Sequence, residues 1–295
     1  MVGATAACAT SPVRRHAMAI TEADHQAKQA LAGEAAIDAA RIPARAFAVL
    51  PFVTAAHDTL LEPLSYAMSD LLVDDLSQSR ELHLVERQHT DAILRELDLV
   101  DAGVTDPRTA PRVGRLMGAR RVLIGTVTSM PGGTVVLSAR VVDVIAGTVQ
   151  PLVSGSAPLA RIIDAEKALA FRVFEELGIT LTPAQRIAVE QRQSTNLAAT
   201  LAYGRGVHAD VRGDSLSAVA AFEEAARLDA GFAAARAQLA SAGTGGMARR
   251  GQALQRVLDL SSNAINTPTT TKLPEAADVP LQAYIVTLLI IVRIF

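Results

Sequence analysis

Residues 121–143 read RVLIGTVTSMPGGTVVLSARVVD, which is the pattern of two β-strands joined by a turn. Two runs rich in β-branched residues, 121–128 and 134–143, flank the turn MPGG, where glycine supplies the positive φ that tight hairpins need. A second turn at Gly147 leads into a third run suited to a strand, 148–156. We therefore predict three consecutive strands joined by tight turns.

The flanking sequence supplies the helices that would cover such a sheet. Upstream, RAFAVLPFV (45–53) is typical of a buried strand that stops near Pro51. The next segment carries an apolar stripe at helical spacing, formed by Leu64, Ala67, Met68, Leu71, Leu72 and Leu76. Four more elements are predicted: a strand at 81–85 and helices at 90–97, 109–117 and 159–177. The resulting order, β-α-β-α-α-β-β-β-α, predicts an α/β fold over residues 44–178, a mixed sheet with helices packed on it.

The pattern over residues 183–260 is helical. Within it, AVAAFEEAARLD (218–229) follows a Gly213-Asp214 turn and places small and large apolar residues at fixed offsets. This spacing resembles one tetratricopeptide repeat (TPR), in which small residues let two helices cross closely. A generic helical hairpin is the alternative. A single repeat cannot bury its own apolar face, so we expect it to pack on the sheet domain or on another chain.

Both ends of the chain differ from this central part. Residues 1–43 are Ala-rich and predict a tether with marginal helix, whereas 261–283 form a polar linker and YIVTLLIIVRIF (284–295) predicts a terminal β-strand. Small residues precede Cys8, the single cysteine, as in the cleavage box of a bacterial lipoprotein. The basic start and apolar run of a signal peptide are missing. Either translation starts further upstream and Cys8 is lipidated, or the match is chance.

Composition excludes several classes of function. The chain has 295 residues, a formal net charge of −2 and 3% aromatic residues, which argues against nucleic-acid binding by bulk charge or base stacking. Six scattered histidines and one cysteine offer no metal-ligand spacing, and no nucleophile–base motif or phosphate loop is present. Asp70 and Asp74 are expected on a solvated helix face opposite the leucine stripe. The sequence thus predicts no catalytic residues, no metal, no cofactor and no small-molecule substrate.

Four segments, in this order, resemble the curli assembly/transport lipoprotein family (CsgG-like): AVLPF (48–52), LVERQHTDAILREL (84–97), GRLMGARRVLIGTV (114–127) and VVLSARVVDVIAGTV (135–149). The resemblance implies a periplasm-facing outer-membrane lipoprotein that assembles with itself or with secretion partners, and it places Cys8 where the family carries its lipid. Family members that form channels insert long hairpins into the membrane. Here the turns at 131–133 and 146–147 are tight, so a pore is not expected.

The amino-terminal domain of TolB-type proteins has a similar order of elements and is the second family considered. It is often joined to TPR helices, which would suit a soluble, cytoplasmic scaffold for signalling partners or peptides. The leading hypothesis remains a non-catalytic envelope lipoprotein with protein partners, including a homo-oligomer. In a TPR the first helix lines the concave surface, so Tyr203, Arg205 and His208 are the predicted partner-binding residues.

Overall fold

The computed structural model describes residues 12–54, 61–100, 103–104 and 106–240. The predicted terminal strand at 284–295, the linker before it, the end of the helical region and Cys8 lie outside these residues. The strands are β1 (Ala46–Val49), β2 (Val53–Thr54), β3 (His83–Leu84), β4 (Arg121–Met130), β5 (Thr134–Asp143) and β6 (Val153–Pro158). The helices are α1 (Pro12–Ala32), α2 (Leu61–Leu76), α3 (Arg87–Glu96), α4 (Ala110–Leu116), α5 (Ile162–Glu176), α6 (Pro183–Glu190), α7 (Leu197–Val211) and α8 (Ser215–Leu228).

The sheet has the order β3-β1-β4-β5-β6 and is mixed. β1 is parallel to both β3 and β4, whereas β4, β5 and β6 form an antiparallel meander. β2 pairs with β4 beyond the end of β1, because Pro51 lacks the N–H that would continue the ladder. Gly132 and Gly133 take positive φ values of 87° and 76° at the β4–β5 turn. The predicted α/β fold is confirmed, and the single strand predicted over 45–53 is divided into β1 and β2.

The sheet buries side chains on both faces. Leu123, Val127 and Leu137 point into a core formed with α2 and α5. Val122 and Ile124, which alternate with them along β4, belong to a second core with residues of α1, α3 and α4. A strand covered on both faces gives the continuous apolar run that the β4 sequence shows.

Two elements differ from the sequence prediction. Residues 12–32, predicted as part of a tether with marginal helix, form the 21-residue helix α1, whose buried face includes Ala23 and Ala27. That face was hard to recognise because alanine contributes little hydrophobicity. The last strand of the meander begins at Val153 instead of 148, because Gly147 and Pro151 bend the chain before it.

The helices after residue 178 pack on the α/β part and not merely on each other. α7 lies against α2, and its residue Gly204 sits at the crossing, where a β-carbon would lie 1.8 Å from the carbonyl oxygen of Pro63. α8 packs on α7, with Gly206 against the ring of Phe222. One continuous apolar cluster therefore runs from the sheet through α2 into α7 and α8. None of the described helices has the length and hydropathy needed to cross a membrane.

Candidate functional site

The most unusual feature of the described structure is a charged cluster at the junction of α2, α3 and α7. It begins with a stripe on α3, where Arg87, Asp91 and Arg95 follow one another at four-residue spacing and so share one helix face. This face points toward α7 instead of solvent. Arg95 donates to the carbonyl oxygen of Val211 at 2.8 Å, at the end of α7, and its Nε donates to Asp24 of α1 at 3.0 Å.

Arg87 is the centre of the cluster, and its side chain is only 17% exposed. Its Nε lies 3.2 Å from Oδ1 of Asp70 on α2, and its Nη2 donates to Asp210 on α7. Nη2 also donates to Gln238 at 3.3 Å, and Nη1 lies 3.9 Å from Oδ2 of Asp91. One guanidinium group thus connects four segments of the chain.

Two further groups complete what we call the Arg87 cluster: Arg87, Asp70, Asp74, Asp91, Tyr203 and Asp210. Tyr203 of α7 is fully buried, and its hydroxyl donates to Asp70. Asp74 lies one helical turn after Asp70 on α2. With all its carboxyl groups ionised, the cluster holds four negative charges against the one positive charge of Arg87.

Burial governs the protonation of the cluster. It raises the pKa of Asp91 to about 7, because the charged form is poorly solvated and Arg87 offsets only part of the loss. Burial, together with the neighbouring Asp70 and Asp75, also raises the pKa of Asp74 to about 7. Burial by itself would lower the pKa of Arg87, but the surrounding carboxylates outweigh it and raise that pKa well above its usual range.

A second buried polar group joins α2 to α5. Nζ of Lys167 donates to both carboxylate oxygens of Asp75, at 2.8 and 2.7 Å, and lies 3.3 Å from Oε2 of Glu166. Glu166 is fully buried, and its burial raises its pKa well above the usual range. The raised pKa favours the neutral form of Glu166 beside the Lys167–Asp75 ion pair.

Neither buried group has the access that a catalytic site needs. The cavity beside Arg87, lined by Asp70 and Asp91 among apolar side chains, has room for about one water molecule. In the described part of the chain, no three His, Cys, Asp or Glu side chains are grouped so that they could hold a metal ion. The ion pairs and hydrogen bonds of both groups therefore stabilise the packing of the helices against one another.

The surface offers a different candidate, on the outer half of the sheet. We call it the open face: the side chains of β4, β5 and β6 that share the face of Ile124 but lie beyond the helices. Its members are Thr126, Thr128, Val136, Ser138, Arg140, Ser154 and Ser156, none of them buried. It ends at β6, one edge strand of the described sheet, and Leu152 beside it is 55% exposed. Most of these side chains can form hydrogen bonds, and all of them are accessible.

The predicted partner-binding residues lie in three different environments. Tyr203 is enclosed between α2 and α8, so the expectation that it faces a partner is corrected: α2 occupies the side of α7 that a longer TPR array would leave open. Arg205 is exposed and pairs with Glu224 at 2.8 Å. His208 is half-buried and stacks on Tyr66 with ring centroids 4.3 Å apart.

The solvated face expected for Asp70 and Asp74 is also corrected. Asp70 is 6% exposed, because α7 and Arg87 cover it. The sequence contains one signal for the cluster, namely the charges at four-residue spacing in LVERQHTDAILREL (84–97). It could not show that a helix more than 100 residues later would supply the partners.

The comparisons with known proteins agree with the family resemblance. Residues 43–134 match the family described as curli production assembly/transport component CsgG. The match begins just before β1 and ends at the β4–β5 turn. The resemblance is confirmed over this range. A search of curated proteins finds no significant match.

Several solved structures align with part of the chain. The C-terminal domain of LpoB from Escherichia coli aligns at 16% identity over 39% of this chain and 84% of its own, with a TM-score of 0.32. Lipoprotein GNA1162 from Neisseria meningitidis aligns at 20% identity over 48% and 100%, with a TM-score of 0.29. The hypothetical protein CT253 from Chlamydia trachomatis gives 17% identity over 45% and 93%, with a TM-score of 0.28. At these TM-scores the alignments carry no further conclusion.

Proposed function

We propose that this protein is a lipid-anchored component of the cell envelope, on the periplasmic side of the outer membrane, that acts through contacts with other proteins and not by catalysis. The observation that carries the proposal is the match of residues 43–134 to the family described as curli production assembly/transport component CsgG. A role related to curli secretion or assembly, including assembly with further copies of itself, is the specific form of this proposal.

The surface geometry supports action by contact. The open face presents threonine and serine hydroxyl groups together with Arg140, on a sheet whose other face is held rigid by α2 and α5. A rigid, accessible, polar surface suits a protein partner better than a substrate, which would need an enclosed pocket with convergent chemical groups. The hairpin of α7 and α8 gives less support to the alternative, a TPR scaffold, because the α2 side of α7 is already occupied.

The anchor is tested through Cys8, the single cysteine of the sequence. Wild-type protein and Cys8→Ser are expressed from the native locus in the source cell, and membrane fractions are compared after labelling with a lipid precursor. We expect wild type to carry the label and to sediment with the outer membrane, and Cys8→Ser to lose both properties. If both proteins are unlabelled and soluble, the lipid anchor is refuted.

The contact surface is tested with a photo-reactive amino acid placed at Ser156 or, as a matched control, at Ser129. Both residues are exposed serines on the same meander, but Ser156 belongs to the open face and Ser129 points to the opposite face. We expect irradiated cells to give a discrete protein adduct from position 156 and not from position 129. Equal labelling from both positions, or none from 156, would refute the open face as the contact surface.

A further inference from the structure

The Arg87 cluster has more negative charge than its single guanidinium can balance, and the excess lies between two parts of the chain. Asp70, Asp74 and Asp91 belong to the α/β part, whereas Asp210 and Tyr203 belong to α7. Arg87 bridges the two sides through Asp70 and Asp210. Any charge added to Asp91 or Asp74 therefore repels carboxylates that this bridge holds close.

We propose that the Arg87 cluster is a pH-sensitive latch, which holds α7 against α2 and α3 while some of its carboxyl groups are protonated and loosens when all of them are ionised. Asp91 is the principal group, since its side chain is 3% exposed and its Oδ2 has no hydrogen-bond partner. Asp74, on the neighbouring helix α2, is the second carboxyl group whose protonation contributes to the latch.

Titratable and charged side chains face the latch from the helices packed against it. They are Glu62, Asp70, Asp74 and Asp75 on α2; Arg87, Asp91 and Arg95 on α3; Lys167 and Glu166 on α5; Tyr203, His208 and Asp210 on α7; and Asp24 on α1. Lys167 is already paired with Asp75, and Arg95 with Asp24. Arg87 is therefore the cation that forms ion pairs with Asp70, Asp91 and Asp210. Arg95 acts on Asp91, and Lys167 on Asp74, through their charge.

The direction of the pH dependence follows from the raised pKa values. A carboxyl group with a pKa of about 7 in the latched state, against about 3.9 when solvated, binds a proton only in the latched state between these values. The stabilisation of the latched state by this proton is therefore fully present near pH 4 and is lost as the pH rises toward 7. For Asp91 alone, the ratio of latched to released protein falls about thirtyfold between pH 5.5 and pH 8.

Hydrogen–deuterium exchange of the full-length protein tests the proposal. The protection factor of residues 197–211, corrected for the intrinsic pH dependence of exchange, is compared at pH 5.5 and pH 8. We expect it to fall about thirtyfold or more. The β4–β5 hairpin serves as the internal reference, and its protection should change much less. Constant protection of α7 in the wild type, or an equal fall in both segments, overturns the proposal.

Substitutions assign the effect to the cluster. Asp91→Asn should reduce the fall, and Asp74→Asn combined with it should remove it, because the amide keeps the neutral state at both pH values. Asp98→Asn is the matched control: Asp98 is exposed, lies just after α3, and has a φ of 54° that asparagine tolerates. It should behave as wild type.

An unchanged fall in the double variant would overturn the proposal and assign the effect to a group other than Asp74 and Asp91. Should the double variant not fold, the single Asp91→Asn variant still decides: a fall as large as that of wild type overturns the role of Asp91.

Discussion

Replacing Gly204 by alanine has two opposite effects on stability: it favours the helical backbone of α7, and it introduces a steric clash with α2. Alanine favours an α-helix over glycine by about 1 kcal/mol, so the sequence alone predicts that Gly204→Ala stabilises α7. In the structure, however, the added β-carbon would lie 1.8 Å from the carbonyl oxygen of Pro63 and 2.5 Å from its carbonyl carbon. Both atoms belong to the backbone of α2, which cannot rotate away as a side chain would.

The magnitude follows from this contact. Non-bonded heavy atoms reach their best separation at about 3.5 Å, so α7 and α2 would have to move apart by roughly 1.5 Å at the crossing. Overpacking of this kind costs about 1–3 kcal/mol, and a backbone contact belongs at the upper end. After the gain in helix propensity, we expect a net destabilisation of about 2 kcal/mol. This corresponds to a fall in Tm of about 4–8 °C for a chain of this size.

The assay is urea or thermal unfolding followed by far-ultraviolet circular dichroism, which suits a chain without tryptophan. Gly206→Ala and Gly33→Ala are the comparison variants. At Gly206 the nearest atoms are 2.5 Å away but belong to the ring of Phe222, which can adjust, and at Gly33 the nearest atom is at 3.4 Å. We expect the loss to decrease in the order 204, 206, 33. A Gly204→Ala protein as stable as wild type would refute the close crossing of α7 and α2.

Four further predictions concern buried polar groups and a helix cap. Lys167→Met leaves Asp75 without its cation and should cost about 3–5 kcal/mol in urea unfolding. Glu166→Gln should cost less than about 1 kcal/mol at pH 7, since burial raises the pKa of this carboxyl group and favours its neutral form; a larger loss would show it to be ionised. Tyr203→Phe removes the hydrogen bond to a buried carboxylate on α2 and should lower the free energy of unfolding by about 1–3 kcal/mol. Asn196→Ala removes the side-chain cap that accepts from two amides of α7, and a loss of about 1 kcal/mol should appear in the same assay.

The sequence predicts well where local chemistry decides the structure. The β4–β5 hairpin follows from strand propensity and from Gly132 and Gly133, and its ten residue pairs lie as such a turn requires. Thr182 and Pro183 begin α6 with a complete capping box. The leucine stripe of α2 faces the core as its spacing indicates.

Prediction is weaker where the deciding partner is distant in the chain. The hydrogen bond from Tyr203 to Asp70 joins residues 133 positions apart in the sequence, and the one from Arg87 to Asp210 joins residues 123 positions apart. The periodicity of a sequence gives no information about such distant pairs. A charged helix face is ordinarily solvated, and for this reason the sequence pattern predicts an exposed Asp70. The predicted partner-binding residues follow from TPR geometry, in which each repeat packs against neighbouring repeats. In this structure α7 packs against α2 instead.

The continuous apolar cluster bears on how this chain could be divided or recombined. A fragment ending at residue 178 would keep the segments that match the family, yet it would lose Tyr203 and the partners that α7 offers to Arg87. It would expose the side of α2 that Gly204 approaches so closely. The family segment and the helices after it are thus not interchangeable modules: a related domain could accept this hairpin only if its own second and third helices carried matching small and charged residues.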